Sequence, residues 1–416
     1  MEMFPYPILY FSCREYTERQ QKIMEDNNRA FLNNMHVHVG AVAGDTGIEG
    51  LKLDFRNGLR LQVPAGDYHV RIGDVETGTI YYDEDAAEVI LVSEEKYYIP
   101  WFIEVFASGR KVFAHCFDPH GQYIHIGVLS SAMGDTIAFL PAAILFAKQH
   151  QARLSIDVRE KWRDFIQQAY PEIEQCEQVP EDIYAVFWLV IGFDDPHFVP
   201  VDGRRVPMRA SAQYILGQDY LAPRIPWRPR KPRLIAQPYV CIGVQASGAA
   251  KSWLWPNGWE EIVDYLKQLG YRVLCIDRDR EVSNQGLTIK MPAGAEDFTG
   301  DLPLAERADM LAYADFFIGL GSGLSWLAWM AGCPVIMLAG FSAIWYEFSD
   351  VYRVMNPRVC NGCFNDVRVH FLRKVCPYHE KDSSHYLECQ RQIAPVMVKK
   401  AIERCRQEHA GEGIRG

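Results

Sequence analysis

Four cysteines near the carboxyl end of this 416-residue sequence have the spacing of a metal site. They follow the pattern Cys360-x2-Cys363-x12-Cys376-x12-Cys389 in a polar region that contains turn residues. A Cys-x2-Cys pair with two further cysteines within about thirty residues is typical of a tetrahedral thiolate site. Four thiolates leave no coordination position open, so the pattern predicts a structural metal rather than a catalytic one. Zinc and iron both fit such a site, and zinc is the default when only the sequence is known.

A glycine-rich turn, Gly321-Ser322-Gly323-Leu324, follows an apolar run and precedes a predicted helix. Backbone N–H groups at such a strand-to-helix turn are positioned to bind a phosphate. Both glycines lack a Cβ, so a ligand can approach the backbone closely. The pattern therefore predicts a phosphate site, although a βαβ turn without a ligand has the same pattern.

Ser247, Gly248 and Lys251 follow a second predicted strand and form another candidate for phosphate binding. In open parallel sheets, ligands bind at the carboxyl ends of the strands. A helix N-terminus contributes only about 0.3–1 kcal/mol toward an exposed anion, so a diphosphate also needs a cation. Lys251 is the best-placed cation, and Ser247 is placed to donate to a phosphate oxygen. A solvated loop lysine is the alternative interpretation of Lys251.

Two aspartates are candidates for a general base. Asp135 begins a predicted helix directly after the predicted strand Ile124–Leu129, where a carboxylate faces the cleft at the end of a sheet. The alternative for Asp135 is an acid that is favoured by the helix macrodipole. Asp118 lies in an Asp-Pro turn, which turn formation alone usually explains, so Asp118 ranks second.

The elements that would position these residues change in type along the chain. Residues 1–110 contain short, partly alternating segments separated by turn residues, which predicts a small β-rich domain. Strand and helix patterns alternate over 111–225 and again over 226–350, which predicts two Rossmann-like domains that face a cleft. Closely spaced prolines in 223–238 predict an extended linker between these two. The four-cysteine segment and a C-terminal helix occupy 351–416.

The composition is typical of a soluble globular protein, with 49% hydrophobic and 23% charged residues. A formal net charge of −10 disfavours nucleic acid or an anionic membrane as a partner. Apolar runs of about ten residues are too short to span a bilayer, so we expect no stable membrane insertion. Glu2, Pro5 and Pro7 lie where a signal peptide needs basic residues and an uninterrupted apolar core. Eleven cysteines without a secretory signal predict reduced thiols in the cytoplasm.

Three stretches of the chain resemble the bacterial lipopolysaccharide heptosyltransferases, which have the GT-B fold. They are the "MGD…LPA" segment that begins at Met133, the segment Ala246–Trp253, and the strand-turn-helix segment Ala314–Gly340. The resemblance implies a donor-phosphate site on the second of these stretches. It also implies that Asp135 is the base and that Lys251 binds the diphosphate.

The same resemblance implies that Ser322 and Gly323 contact phosphate. Two neighbouring positions differ from the family pattern. Gly321 stands where an acid usually precedes the serine, and Trp326 stands where the helix usually carries a histidine. These differences fit a different acceptor better than an identical reaction.

The β-rich N-terminus and the four-cysteine segment are not part of that family. Both resemble the autotransporter heptosyltransferases of the TibC type, and this resemblance covers nearly the whole chain. Such enzymes are cytoplasmic and add heptose to serines of autotransporter adhesins. The resemblance implies ADP-heptose as the donor, iron on the four cysteines, and a large ring-like homo-oligomer, a dodecamer.

We therefore predict an α/β protein with the GT-B fold, an added β-rich domain and a four-cysteine metal motif. It is expected to move heptose from ADP-heptose to serine hydroxyls of an autotransporter adhesin in the bacterial cytoplasm. One alternative is a lipopolysaccharide heptosyltransferase that acts on a glycolipid, which a basic amphipathic surface helix would favour. Another is a non-catalytic, metal-stapled scaffold that binds a nucleotide sugar, supported by the replacements at Gly321 and Trp326.

Overall fold

The structure of the protein is a computed structural model that describes residues 8–12, 41–130, 132–157, 160–176, 179–192, 197–284, 286–368 and 375–409. Antiparallel sheets come first along the chain, and two parallel α/β units follow. This arrangement confirms the α/β fold that the sequence predicts. Among the described residues, no helix has both the length and the apolar character needed to cross a bilayer. The predicted N-terminal domain and C-terminal segment each extend into residues outside these ranges.

The described residues of the N-terminal part form short strands. They are β1 (Ile8–Ser12), β2 (Lys52–Asp54), β3 (Arg60–Val63), β4 (Tyr68–Asp74), β5 (Ile80–Ala86), β6 (Val89–Ser93), β7 (Trp101–Ala107) and β8 (Arg110–Cys116). They form two four-stranded antiparallel sheets, in the orders β1-β6-β3-β2 and β5-β4-β7-β8. Alternate side chains of β7, from Trp101, Ile103 and Val105, are buried, as in a sheet with one face on a core.

The first parallel unit follows directly. Its elements are β9 (Tyr123–Val128), α1 (Met133–Gln149), β10 (Arg153–Asp157), α2 (Arg163–Ala169), β11 (Glu174–Gln175), β12 (Ala185–Leu189) and α3 (Met208–Ile215). The strand order is β11-β10-β9-β12, with parallel pairing throughout. A bridge between Phe55 and Ala185 joins the N-terminal part to the edge strand β12. The predicted helix after β9 is α1, and its apolar residues Ile137, Leu140 and Ile144 are buried.

The second parallel unit contains both predicted phosphate sites, at Lys251 and at Gly321. Its elements are β13 (Tyr239–Ile242), α4 (Gly258–Gln268), β14 (Arg272–Cys275), β15 (Glu281–Asn284), β16 (Leu287–Lys290), β17 (Glu296–Asp297), α5 (Leu304–Ala312), β18 (Phe317–Leu320), α6 (Gly323–Met330), β19 (Val335–Leu338) and β20 (Val351–Val354). Its six-stranded sheet has the order β17-β14-β13-β18-β19-β20, while β15 and β16 form a separate antiparallel hairpin. The central strands are fully buried, as expected for a sheet covered by helices on both faces.

Two helices end the described chain. They are α7 (Glu388–Arg391) and α8 (Pro395–His409). Helix α8 packs against α4 of the second unit, since the hydroxyl of Tyr265 donates to Glu403 at 2.6 Å and Lys399 pairs with Glu261 at 2.6 Å. The C-terminal segment is therefore part of the second unit.

The proline-rich stretch 223–238 has no regular secondary structure, but the expectation of an unpacked spacer is wrong at Trp227. This side chain is buried and stacks on Phe165 of α2, with ring centroids 5.1 Å apart. Its indole N–H donates to Asp309 of α5 at 2.7 Å, and its backbone N–H donates to Met330 at 3.0 Å. The stretch thus packs between the two parallel units, because a large aromatic side chain there is buried by both of them.

One continuous hydrophobic core joins the N-terminal sheets, the first unit and one face of the second sheet. A second core covers the other face of the second sheet and includes residues of α4 and α8. The first core crosses from unit to unit where α1 packs on α6. The two parallel units are therefore in direct contact, and the candidate site lies at this contact.

Candidate active site between the two parallel units

The amino-terminal ends of α1 and α6 meet where the two parallel units face each other. A Cβ on Gly323 would lie 2.8 Å from Cε of Met133, and a Cβ on Gly134 would lie 2.8 Å from Cδ1 of Trp326. Cβ atoms do not approach other atoms this closely without a shift, so glycine at both positions brings the helices together. The contact places Asp135, in the first turn of α1, beside the glycine-rich turn.

Asp135 is half-buried, and the macrodipole of α1 favours its negative charge. Burial and the carboxylates of Asp135, Glu347 and Asp202, in that order, hold the pKa of the Tyr346 phenol well above its usual value. Asp135 follows Gly134, whose backbone nitrogen lies 3.5 Å from the Cβ position of Gly323 in the second unit. This is the position that a base between the two units requires.

The second predicted base, Asp118, lies elsewhere. It precedes β9, whereas Asp135 follows the carboxyl end of the same strand. A six-residue strand spans about 20 Å, so the two carboxylates lie at opposite ends of the strands in this sheet. The carboxylate of Asp118 accepts from the backbone N–H of His120 at 2.9 Å, as in an ordinary turn. The structure does not bring Asp118 together with the other candidates.

The glycine-rich turn connects β18 to α6 as the sequence predicts. Gly321, Ser322, Gly323 and Leu324 are all half-buried, so a ligand can reach their backbone. Ser322 has extended backbone angles and precedes the first helical residue, which leaves the first N–H groups of α6 without intrahelical partners. Leu324 packs over the end of β13, where its Cδ1 would lie 2.9 Å from a Cβ on Gly243. The turn has the geometry of an anion site at a helix N-terminus.

The Lys251 turn follows the neighbouring strand β13. Residues Ala249–Lys251 form one turn of 3₁₀ helix, and the backbone N–H of Lys251 donates to Gly248 at 3.1 Å. Ser247 is exposed and Lys251 is half-buried. The Lys251 ammonium lies 5.2 Å from the ring centroid of Phe341, within cation–π distance. The donor-side candidates therefore lie at the carboxyl ends of two adjacent strands of one sheet.

The four predicted metal ligands line one small cavity of about 10 Å³, which is room for about one water-sized sphere. Burial, with a contribution from the neighbouring thiols, raises the pKa of Cys363 to about 12 and that of Cys389 to about 12. Cys360 is exposed and Cys376 is half-buried. In the described ranges, no group of three or more His, Cys, Asp and Glu side chains is arranged as a metal site. The fold thus brings the four thiols to one cavity without arranging them as ligands.

The four-cysteine segment also contacts two loops of the second unit. The side-chain amide of Gln390 donates to the carbonyl oxygen of Ala250 at 2.6 Å. The indole N–H of Trp253 donates to the carbonyl oxygen of Ile393 at 2.8 Å. On the other side, a Cβ on Gly340 would lie 2.8 Å from Cβ of Cys389. The segment therefore packs against the Lys251 turn and against the loop that follows β19.

Sequence reasoning missed Glu347, a buried acid next to the glycine-rich turn. A Cβ on Gly321 would lie 3.2 Å from Oε1 of Glu347, so this carboxylate occupies the space beside a position without a side chain. Glu347 accepts from the hydroxyl of Ser342 at 2.5 Å and from the guanidinium of Arg353 at 2.6 Å. The sequence gives no local signal for Glu347, because it reaches the turn only through folding of the loop after β19.

Asp277 is a second acid that the sequence does not single out. It follows β14 and accepts from the backbone N–H groups of Val244 at 2.7 Å and Gln245 at 3.2 Å. Burial raises the pKa of Asp277 to about 6, against the lowering effect of these hydrogen bonds. Asp277 therefore holds the start of the loop that leads from β13 to Lys251.

Family models match two parts of the chain. Residues 47–109 match the N-terminal domain of the glycosyltransferase TibC, and residues 142–343 match glycosyltransferase family 9, the heptosyltransferases. The first match lies in the N-terminal sheets. The second begins within α1, after Asp135, and includes the Lys251 turn and the glycine-rich turn.

Three relatives show how far the similarity extends. TibC of Escherichia coli O78:H11, an autotransporter heptosyltransferase, is 35% identical over 377 residues, which cover 88% of this chain and 93% of TibC. The autotransporter heptosyltransferase BAHTCr of Citrobacter rodentium is 37% identical over 369 residues, 86% of this chain and 90% of BAHTCr. BimC of Burkholderia thailandensis, an inactive autotransporter heptosyltransferase, is 33% identical over 368 residues, 86% of each chain. Because one relative is inactive, the residues of the site matter as well as the overall identity.

Solved structures of TibC have the same fold as this chain. The crystal structure of TibC from enterotoxigenic E. coli, an iron-containing dodecamer, matches with a TM-score of 0.84 at 35% identity, over 89% of this chain and 100% of TibC. A TibC crystal structure in complex with ADP-D-β-D-heptose also has a TM-score of 0.84, at 34% identity over 89% of this chain and 99% of TibC. The chain therefore belongs to the autotransporter heptosyltransferases, a family of glycosyltransferases.

Proposed function

We propose that the protein transfers heptose from ADP-heptose to serine hydroxyls of an autotransporter adhesin in the bacterial cytoplasm. One observation carries the proposal: Asp135 of the first unit lies beside the glycine-rich turn of the second unit. A base and a phosphate-binding turn that face each other are the parts that transfer from a sugar diphosphate needs. The ADP-heptose complex of TibC supports the donor, and the name of the family supports the acceptor.

In the proposed mechanism, the serine hydroxyl oxygen attacks C1 of heptose while the carboxylate of Asp135 takes its proton. A new bond forms between this oxygen and C1, and the bond between C1 and the β-phosphate oxygen breaks. ADP leaves with the bonding electron pair. A base within hydrogen-bond reach of the attacking group is the requirement that Asp135 meets in this proposal.

The departing diphosphate is stabilised from two adjacent loops in this proposal. The N-terminal N–H groups of α6 bind one phosphate. They lie in the glycine-rich turn, which consists of Gly321, Ser322, Gly323 and Leu324. The ammonium of Lys251 neutralises charge on the diphosphate, and Ser247 and Gly248 lie in the same loop. Fixed positive charge that faces the leaving group is usually the largest contribution to such a reaction.

We further propose that Cys360, Cys363, Cys376 and Cys389 bind one structural iron ion, with zinc as the alternative. The shared cavity of the four thiols and the iron in TibC support this proposal. Four thiolates leave no open coordination position, so the ion would stabilise the segment and take no part in the transfer. A dodecameric homo-oligomer, as in TibC, is the assembly that we propose for this chain.

Intact-mass spectrometry of an autotransporter passenger tests the proposed function. The passenger is co-expressed with this protein in a bacterium that makes ADP-heptose. We expect mass increments of one heptose each, which disappear when Lys251→Ala replaces the wild type. An unshifted passenger, together with heptose on a glycolipid, would instead support the lipopolysaccharide heptosyltransferase alternative. Absence of any heptose product would support the non-catalytic scaffold.

A further inference from the structure

The aromatic ring of Phe341 lies against the ammonium of Lys251. Phe341 is in the loop after β19, and its side chain is buried. The Lys251 ammonium lies 5.2 Å from the ring centroid, a distance at which a cation is attracted to the negative face of an aromatic ring. This attraction is stronger where water is partly excluded, and Lys251 is half-buried. The ring therefore restricts where the ammonium lies.

Phe341 is held in place by residues on two other segments. Its ring packs on Phe364 of the four-cysteine segment, with ring centroids 5.2 Å apart. Its carbonyl oxygen accepts from the backbone N–H of Phe364 at 3.1 Å. Phe341 also packs in one hydrophobic cluster with Ala249 and Ala250, which precede Lys251 in the chain. A ring packed in this way is a fixed surface for the flexible lysine side chain.

The contact between Lys251 and Phe341 crosses the end of β18. The sheet has the order β13-β18-β19, so the strand that leads into the glycine-rich turn lies between the strands that lead to these two residues. The loop of Phe341 also lies beside that turn. A Cβ on Gly321 would lie 3.8 Å from Cβ of Ala339 and 4.0 Å from Oγ of Ser342. The ring therefore holds the ammonium beside the turn that we propose to bind a phosphate.

An ammonium that lies on an aromatic ring can still bind a phosphate. It has three N–H donors, and the ring faces only one side of it. The donors on the other side can point to phosphate oxygens. Because the ring already limits the conformations of the lysine side chain, less conformational entropy is lost when the ligand binds.

We propose that Phe341 is a positioning residue, whose ring holds the ammonium of Lys251 where it binds the diphosphate of the donor. This inference rests on the proposed function and adds a residue that acts through Lys251. A ring that only fills space can be replaced by any ring of similar size. A ring that positions the ammonium must also keep the negative charge of its face.

The test replaces the ring of Phe341, in the full-length protein, by rings that carry one, two or three fluorines. Fluorine withdraws electrons from the face of the ring and changes its size little. Calorimetry then measures the Kd for ADP. We expect the Kd to rise with each added fluorine and to be about three- to tenfold above wild type with three. Equal Kd values across the series would overturn the proposal. Tighter binding would also overturn it, because the ring would then draw the ammonium away from the phosphate.

The Lys251→Ala background shows whether the ring acts through the lysine. Without the ammonium, the fluorines on Phe341 should leave the Kd for ADP unchanged, since the two changes remove the same interaction. The same rise in Kd with each fluorine in this background would overturn the proposal.

Phe106 is the matched control, because its ring lies 5.8 Å from the ammonium of Lys111 in the N-terminal sheets. Three fluorines on Phe106 should leave ADP binding as it is in wild type, and weaker binding there would overturn a local effect at Phe341. If wild type does not bind ADP, or if Lys251→Ala binds it equally well, the proposed donor site fails. If both behave as expected and only the fluorine series is flat, the positioning role alone fails.

Discussion

The side-chain amide of Gln390 donates a 2.6 Å hydrogen bond to the carbonyl oxygen of Ala250. Gln390 follows Cys389 in the chain, and Ala250 precedes Lys251. The bond therefore connects the four-cysteine segment to the turn that we propose to bind the diphosphate. Both residues are buried, so water does not compete for this hydrogen bond.

Gln390→Leu should weaken ADP binding without removing any cysteine. It leaves the buried carbonyl of Ala250 without a donor, which costs about 1–3 kcal/mol and favours a shift of the Lys251 turn. We expect a several-fold higher Kd for ADP by calorimetry. The same substitution on a Lys251→Ala background should have little further effect, because it acts through the lysine.

Gln392→Leu is the control for Gln390→Leu, since this side chain lies on the same segment but is exposed. It should bind ADP as wild type does. Equal ADP affinity in Gln390→Leu and wild type would show that the contact does not position Lys251. Additive losses in the double variant would lead to the same conclusion.

Removal of one proposed metal ligand should release the metal and destabilise the protein. Cys360 is exposed. If it were an ordinary surface residue without a metal, Cys360→Ser would change the free energy of unfolding by less than about 0.5 kcal/mol. As a ligand, Cys360 would instead be needed for metal binding. We expect Cys360→Ser to lose iron or zinc, measured by elemental analysis, and to have a lower Tm.

Cys116→Ser is the matched control, because Cys116 is also exposed and lies far along the chain in β8. It should keep its metal content and its Tm. Treatment of wild type with a strong chelator should reproduce the lower Tm of Cys360→Ser. Purified wild type without any bound metal would contradict the proposed tetrathiolate site.

The buried carboxyl of Asp277 should make stability depend on pH. Its pKa is about 6 in the folded protein and 3.8 in an ordinary environment. Between these values the folded state binds more protons than the unfolded state, so stability falls as pH rises from about 4 to about 6. A difference of about two pKa units corresponds to roughly 3 kcal/mol. Asp277→Asn should lack this part of the slope.

Urea denaturation of wild type and Asp277→Asn across this pH range measures the effect. The other titrating groups are common to both proteins, so the difference between the two slopes reports on Asp277. Parallel slopes would mean that Asp277 is ionised at the same pH in the folded and unfolded chains. Asp277→Asn should also loosen the loop at Val244, since an amide cannot accept from both backbone N–H groups equally.

Local patterns in the sequence were sufficient for several parts of the site. The glycine-rich turn at Gly321 and the helix that begins at Met133 depend on residues within a few positions of each other, so periodicity and turn residues predict them. The spacing of the cysteines predicts a metal site, and the structure places Cys360 and the other three thiols around one cavity.

Other parts depend on contacts between distant segments, which no local pattern contains. Gln390 and Ala250 are 140 residues apart, and Asp277 and Val244 are 33 apart. Glu347 fills the space beside Gly321 only because the loop after β19 folds back over the turn. The sequence alone also leaves both Asp118 and Asp135 as candidate bases. It does not show that they lie at opposite ends of β9, about 20 Å apart.

The rate of heptose transfer by Asp135→Asn, compared with Asp118→Asn, tests the central claim most directly. Asparagine keeps the size of the side chain but cannot take a proton, so we expect kcat to fall by about 10²–10⁴-fold in Asp135→Asn. Its Kd for ADP should stay close to that of wild type. Asp118→Asn should transfer heptose at the wild-type rate, because Asp118 lies at the other end of β9 from Asp135. Wild-type turnover in Asp135→Asn would contradict a base at this contact between the two units.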